Sequence, residues 1–298
     1  MRVLVTGGGG FIGNHLVRRL QQDPAVSVRI LDNLHRGRNT FAGVPRVEFV
    51  QGDVRDRRTV RAAMDGIGLV YHLAAQSNVL GALRDIDYSF TTNVAGTFEV
   101  LSAARECGVR RIVFTSSREV YGDVAVLPVP ESAPLNPKNA YGASKAAGEL
   151  YCRVFAESGI DVVVFRLANV YGPGDAGRVV PLFLDNASSG RPLTIYGADK
   201  ILDFVWIGDA VDALVKAQTA PVAGQAINIG SGEGATLPAL ARQILNVTGS
   251  SSAIESVAAR KGETDRFVAD IRLAARLLNY RPSTGLVHLR EVAAAFTR

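Results

Sequence analysis

The chain has 298 residues, 47% hydrophobic and 20% charged, enough for one large domain or two coupled ones around a sizeable core. No apolar run is long enough to cross a bilayer, and the opening "MRVLVTGGGG" has glycines where a signal peptide has its cleavage site, so it reads as a first strand. The formal net charge of +5 comes from Lys and Arg scattered among acids, without a basic run or aromatic–basic interleaving. That argues against nucleic acid as a partner, and an anionic small substrate accounts for the excess as well. Cys107 and Cys152 lack metal-ligand spacing, so no metal is expected and a reducing cytoplasm is the default compartment.

In chain order, the first two-thirds alternate short apolar runs with longer amphipathic ones. "RVLVT", "VSVRILD", "VEFVQGD", "GLVYHLAA", "RRIVFTSS" and "DVVVFRLANV" are rich in Val and Ile and bounded by turn residues, which predicts buried parallel strands. Between them lie helical patterns such as "TFEVLSAARECG", with Gly108 as a C-terminal stop. From about residue 172 the pattern changes: "YGPGDAG" is a loop, "VVPLFLDNASSG" a helix and "PLTIYG" a short strand. "FVWIGDAVDALVKA" and "QAINIGSG" read as a return to the main sheet, and "TLPALARQIL" as a helix capped by Thr236. The fold class expected is α/β, a Rossmann-type doubly wound parallel sheet. It takes residues 1–171 with return segments near 203–230, and a smaller, mostly C-terminal α/β domain takes 172–202 and 231–298.

"VTGGGGFIGNHL" follows the first strand and opens a helix. Gly7 permits the tight turn, Gly10 lets backbone approach a pyrophosphate, and Gly13 lets helix and strand pack closely. The helix start at Phe11 and Ile12 then offers free N–H groups and a positive dipole end to phosphates. The second strand ends at Asp32, next to Asn33, about 20 residues past the motif, where an acid binds adenosine ribose hydroxyls. Alone, Asp32 is equally a solvated strand-end charge; beside the glycines the ribose reading wins. A carboxylate there repels a 2′-phosphate, so NAD is favoured over NADP, although Arg36 and Arg38 follow closely. Asp53 and Val54 end the third strand within reach of an adenine, unless Asp53 is simply a turn residue. Leu73, Ala74 and Ala75 end the fourth strand, small enough to let a dinucleotide pass or simply to pack tightly.

"YGASK" places Tyr141 and Lys145 four residues apart, on one face of a helix. A phenol with its usual pKa of about 10 is a poor base. A neighbouring ammonium favours the phenolate, so Tyr141 takes a proton from a hydroxyl as hydride leaves the same carbon. Ser117, at a strand end, holds the same hydroxyl. With the dinucleotide motif upstream, the chain resembles an extended short-chain dehydrogenase/reductase of the branch acting on nucleotide-diphosphate sugars. The similarity runs over nearly its whole length, from "TGGGGFIG" to "ADIRLAARLLNYRP".

That resemblance implies tightly held NAD, a sugar-nucleotide substrate and a catalytic trio of Ser117, Tyr141 and Lys145, with Lys145 touching the nicotinamide ribose. It implies that Asn93 supports the active-site helices, that Asn169 contacts the diphosphate, and that backbone at Leu193 and Ile195, with Tyr196, serves the base. It also implies that Arg260 holds a phosphate and Glu263 the nucleotide ribose. The family's usual arginine before the Asp-Phe of "ILDFVWIGD" is Leu202 here, with Lys200 or Arg178 as substitutes. The family's dimer, a four-helix bundle, suits the apolar positions of "FEVLSAA" and "AAGELYCRVF".

The reading favoured is NAD-dependent C4 epimerisation of a UDP-sugar: glucose/galactose, an N-acetylhexosamine or a uronate. The alternative is a dehydratase or UDP-glucuronate decarboxylase using Glu119. Relatives with dehydratase activity carry adjacent Asp-Glu before "VYG", where this chain has Arg118 and Glu119. Glu119 reads either as a base or as a strand-end anchor, and Arg118 as a surface charge or the partner of a uronate carboxylate. A reductase is opposed by Asp32, and a catalytically silent binding protein by the intact trio.

Overall fold

The computed structural model describes residues 1–260, 262–284 and 286–296. The strands are β1 (Arg2–Thr6), β2 (Ser27–Asp32), β3 (Val47–Gln51), β4 (Leu69–His72), β5 (Arg111–Ser117), β6 (Asp161–Leu167) and β7 (Asn169–Tyr171). They continue with β8 (Leu193–Tyr196), β9 (Ile201–Trp206), β10 (Ala226–Ile229), β11 (Gly234–Thr236), β12 (Ile254–Val257) and β13 (Arg266–Phe267). The first six helices are α1 (Phe11–Leu20), α2 (Arg57–Ala63), α3 (Val79–Arg84), α4 (Ile86–Phe90), α5 (Gly96–Glu106) and α6 (Ala140–Glu157). The others are α7 (Val179–Ser188), α8 (Ile207–Lys216), α9 (Leu237–Thr248), α10 (Arg272–Leu278) and α11 (Leu289–Phe296). No helix among the described residues is long and apolar enough to cross a membrane.

The main sheet has seven strands, all parallel, in the order β10-β6-β5-β4-β1-β2-β3. Its central strands are apolar on both faces, as a sheet covered on both sides demands, while the edge strand β3 exposes Glu48 and Gln51. Val3 and Val5 of β1 face a core shared with Leu16, Val17 and Leu20 of α1 and Val211 and Leu214 of α8. Leu4, between them, faces the opposite core with Val60 of α2, Leu101 of α5 and Phe155 of α6. Strand order reverses between β1 and β4, so the loops after these two strands part and leave a crevice at their carboxyl ends.

Two smaller sheets stand beside the main one. In the first, β9 pairs with β7, β11 and β13; in the second, β8 pairs with β12. A third core joins Phe183 and Leu184 of α7, Leu240 and Ile244 of α9, and Leu289 and Val292 of α11 to β8 and β9. Thr236 caps α9, its hydroxyl accepting from the Ala239 N–H at 3.2 Å.

Two sequence expectations need correction. "DVVVFRLANV" is two strands: β6 ends at Leu167 in the main sheet, and β7 pairs with β9 in another. Ala168 marks the change, its N–H still donating to Ile229 O of the main sheet at 2.8 Å. Of the segments expected to return near 203–230, β10 adds a strand to the main sheet but β9 does not; its neighbours are β7, β11 and β13. Only α8, directly after it, comes back to pack beside α1.

Candidate active site

A cleft of about 1030 Å³ runs along the carboxyl ends of the main-sheet strands and under the smaller sheets. Its floor at one end is the loop after β1. Gly7 has φ of +73°, and a Cβ there would lie 2.7 Å from Ala74 N, so a side chain would strike the loop after β4. A Cβ on Gly13 would lie 2.2 Å from Gly7 O, which holds α1 against the turn. The cap residue Gly10 has no side-chain acceptor and the first turn of α1 has no acid, so the amides of that turn and the positive helix end are left to a ligand. Gly7, Gly10, Phe11, Ile12 and Gly13 all line the cleft, a cradle that fits a dinucleotide pyrophosphate.

Asp32 is buried on the same wall, where Oδ2 accepts from Gly9 N at 2.9 Å and Oδ1 from Leu34 N at 2.8 Å. These two bonds fix the carboxylate at the place a ribose would occupy and leave lone pairs for hydroxyls. Asn33, Val54, Leu73, Ala74 and Ala75 line the cleft, as does Arg36.

Two of the residues singled out in the sequence lie behind the wall, Asp53 away from the adenine expected of it and Asn93 against α6, the helix it was expected to support. Asp53 does not line the cleft: its carboxylate takes Asn33 Nδ2 at 2.8 Å and a fork from Arg55 at 2.9 Å. Burial pushes that group up, but these bonds outweigh it and hold it at about 2. Asn93 is fully enclosed: its Oδ1 accepts from Gln76 N at 2.8 Å, and its Nδ2 donates to Gln76 O at 3.0 Å and Ser144 Oγ at 2.9 Å. It ties the loop after β4 to α6 and does not line the cleft.

The middle of the cleft gathers Ser117, Arg118, Glu119, Tyr141 and Lys145. Ser117 is the last residue of β5, and its hydroxyl lies near enough to the Tyr141 phenol to lower its pKa. α6 starts where Asn139 caps it, accepting from Gly142 N at 2.8 Å, and Tyr141 and Lys145 then share its inner face. Lys145 Nζ donates to Thr115 O at 2.8 Å and lies 4.8 Å from the centre of the Phe114 ring. Burial brings its ammonium down to about 8. The Tyr141 phenol moves opposite to the expectation. Burial pushes it above its ordinary value; the Arg178 charge, the Ser117 hydroxyl and the Arg118 charge draw it back, and Glu119 pushes it further up. The lysine has turned to the Thr115 carbonyl, so Arg178 is the principal cation opposing that rise.

Glu119 is buried and held by three bonds. Oε1 lies 2.8 Å from Arg118 Nη2, and Oε2 accepts from Asn139 Nδ2 and Thr264 Oγ1, each at 2.9 Å. Asn139 also donates to Gly262 O at 2.9 Å, so the segment 262–264 is fastened to the cap of the helix carrying Tyr141. Asn139, Thr115 and Thr264 were missed in the sequence. An Asn three residues before Gly142 at a helix start is a legible cap; the other two carried no local signal.

At the far end, Asn169, Arg178, Tyr196, Arg260 and Glu263 line the cleft. The Arg260 guanidinium stacks 3.6 Å from the Tyr196 ring centre, a flat platform. Both ends of the Asn169 amide are engaged, Oδ1 with Arg118 Nε at 3.3 Å and Nδ2 with Asp203 O at 2.9 Å. Leu193 and Ile195 are not in the cleft: their side chains are core, and the Leu193 amide donates to Ala253 O across the β8–β12 pair. By strand alternation it is Thr194 and Tyr196 that face the cleft. Leu202 is core at the cleft margin. Lys200 is buried with Nζ 2.5 Å from Glu263 Oε2, and Arg178 holds Asp175 at 2.7 Å.

The model of the NAD dependent epimerase/dehydratase family matches residues 3–230. The chain is 35% identical over 304 residues to a UDP-glucose 4-epimerase of Mycolicibacterium smegmatis, covering 96% of this chain and 95% of that one. Among solved structures, UDP-glucose 4-epimerase of Thermotoga maritima, with UDP-glucose, superposes with a TM-score of 0.94 at 29% identity, over 100% of this chain and 99% of that one. DesIV, a dTDP-glucose 4,6-dehydratase of Streptomyces venezuelae solved with NAD bound, superposes with 0.94 at 34% identity, over 100% and 97%.

Proposed function

The chain belongs to the NAD-dependent epimerase/dehydratase family, and from that premise we propose that it inverts C4 of a UDP-sugar through a transient 4-keto sugar. NAD, when bound along the glycine cradle and Asp32, supplies the hydride acceptor. Tyr141 takes the proton of the C4 hydroxyl while Ser117 holds that hydroxyl in place. Lys145, whose Nζ rests on the Thr115 carbonyl, would donate to the nicotinamide ribose when NAD is bound and keep positive charge beneath the site. The 4-keto sugar then turns, and Tyr141 returns the proton on the opposite course. Arg260 stacked on Tyr196, with Glu263 and Thr194 also on the cleft wall, would take the uridine diphosphate. The half built on the main sheet then serves the cofactor, and the half built on the smaller sheets serves the sugar nucleotide.

The observation that carries epimerisation over dehydration is the state of Glu119. A base at C5 must turn toward the sugar, and this carboxylate is held by three protein bonds, two on Oε2 and one from Arg118 on Oε1, that such a turn would break. The neighbouring acid that would protonate a leaving C6 hydroxyl is absent, and Arg118 stands there. The dehydratase reading keeps one point in its favour, that Glu119 lies on the cleft wall in a chain also similar to DesIV.

Exposed Phe98 on α5 and Leu150, Tyr151 and Val154 on α6 form an apolar strip that suits a homodimer through a four-helix bundle. The unpaired thiols of Cys107 and Cys152 suit a reducing cytoplasm. Purified protein incubated with UDP-glucose, UDP-N-acetylglucosamine and UDP-glucuronate, with products followed by NMR, tests the reading. A C4-inverted product of unchanged mass is expected from at least one sugar, and loss of water or of carbon dioxide refutes it.

A further inference from the structure

We propose that the sugar accepted here is a hexuronate, its C6 carboxylate read by Arg118; this rests on the C4-epimerase reading and names its substrate class. Arg118 directly follows Ser117 in a short turn at the end of β5 and lines the cleft with it, so a sugar whose C4 hydroxyl sat on Ser117 would have the flanking carbons near Arg118. Its guanidinium is held in place but not used up. Nη2 meets Glu119 at 2.8 Å and Nε meets Asn169 at 3.3 Å, while Nη1 is buried with no hydrogen-bond partner.

Buried Arg166 shows the contrast. Its Nε and Nη2 bond Glu149, and its Nη1 bonds Tyr121 and Glu131. Among the described residues Arg118, half-buried as a whole, is the arginine left with an enclosed, unbonded nitrogen. A charged donor enclosed without an acceptor is costly, and the planar fork of a guanidinium matches a carboxylate. Glu119 cannot supply the missing acceptor, because Asn139 and Thr264 occupy its second oxygen. A C6 hydroxymethyl group offers one neutral oxygen; a carboxylate offers two and a charge.

The chemistry gives this contact a second task. Once C4 is a ketone, a C6 carboxylate lies β to it, the arrangement that loses carbon dioxide. Breaking the C5–C6 bond moves the carboxylate's electron pair into an enolate. An ion pair with Arg118 holds that charge on the carboxylate and opposes the move. Hydride leaves C4 and returns to C4, the O4 proton goes to Tyr141 and back, and C5–C6 stays intact.

The test compares kcat/KM for UDP-glucuronate and UDP-glucose in the unmutated protein, Arg118→Gln and Arg118→Lys, with bound NAD reporting that each is folded. The unmutated protein should prefer UDP-glucuronate. Arg118→Gln should shrink that preference on the order of 100-fold and release carbon dioxide from UDP-glucuronate, with Arg118→Lys in between. Turnover of UDP-glucose without UDP-glucuronate would overturn the carboxylate reading and leave the epimerase reading standing. Equal losses on both sugars in Arg118→Gln would overturn it too, placing the arginine on the shared diphosphate. No turnover of either would overturn the carboxylate reading; if UDP-N-acetylglucosamine is inert too, or the unmutated protein releases carbon dioxide, the epimerase reading falls with it.

Discussion

The two ends of the cleft are built by different means. The glycine end is made of backbone: one contiguous loop, one helix start and small residues at the next strand, packed so that Gly7 and Gly13 leave no room for a Cβ. The sugar end is made of side chains from β5, the α6 cap, the loop before α7, β8, Arg260 and the segment 262–264, fastened by hydrogen bonds such as those on Glu119. A backbone cradle tolerates almost no change, so it marks the family. A side-chain wall can be rewritten one residue at a time, so it sets the reaction and the sugar.

The hardest break is at the glycine end. Gly13→Ala puts a Cβ 2.2 Å from a backbone oxygen, with no flexible side chain to yield. Bound NAD and all turnover should be lost together, with a lowered melting temperature; a variant that kept its NAD would show that the cradle is not close-packed. At the centre, Tyr141→Phe should lower kcat by about 10²- to 10⁴-fold while UDP-sugar binding by calorimetry stays nearly unchanged, because only the proton transfer is removed. Near-normal turnover in that variant would end the catalytic assignment.

Acidity sharpens the contrast by sign. The Lys145 ammonium is held at about 8, below its ordinary 10.5, chiefly by burial. If the ammonium is the working form, kcat/KM should fall about tenfold per pH unit above 8. Stability should not fall with it on this account. Between about 8 and 10.5 the unfolded chain binds the proton and the folded one does not, so raising pH through that window favours folding. Activity and melting temperature measured across pH 7 to 10 separate the two; parallel losses would mean that unfolding, not Lys145, limits the rate.

The same difference explains what could be read in advance. The glycine cradle, Asp32 and the Tyr141–Lys145 pair follow from local spacing, and the structure gathers them on one cleft. Errors fell where a residue's neighbours come from far along the chain. "DVVVFRLANV" carries one unbroken apolar pattern, and nothing local says that Ala168 ends one sheet and Asn169 begins another. Leu193 and Ile195 were misplaced because strand parity depends on β12, some sixty residues later, claiming that edge. Asp53 has the right position but spends its carboxylate on Arg55 and Asn33. The rise of the Tyr141 phenol could not be read from a Tyr-x-x-x-Lys spacing, since it comes from burial and from where Lys145 points.

The smallest effect expected is the most informative about the sugar end. Glu119→Gln keeps the size of the side chain but removes a charge and one acceptor, so Asn139 or Thr264 loses part of its bond and Arg118 loses its ion pair. If Glu119 is an anchor, the α6 cap and the segment 262–264 loosen slightly, and kcat/KM should drop only several-fold, about 1 kcal/mol for one hydrogen bond weakened. Turnover in deuterated water should still give a C4-inverted product with no deuterium at C5, and the NADH absorbance at steady state should stay low. If Glu119 were a base at C5, the variant would stop after C4 oxidation, NADH absorbance would accumulate, and the unmutated protein would deliver solvent deuterium to C5. These outcomes do not overlap, because an anchor acts on geometry and a base acts on a proton that exchanges with solvent. Accumulated NADH in Glu119→Gln would replace the epimerase reading with the dehydratase one.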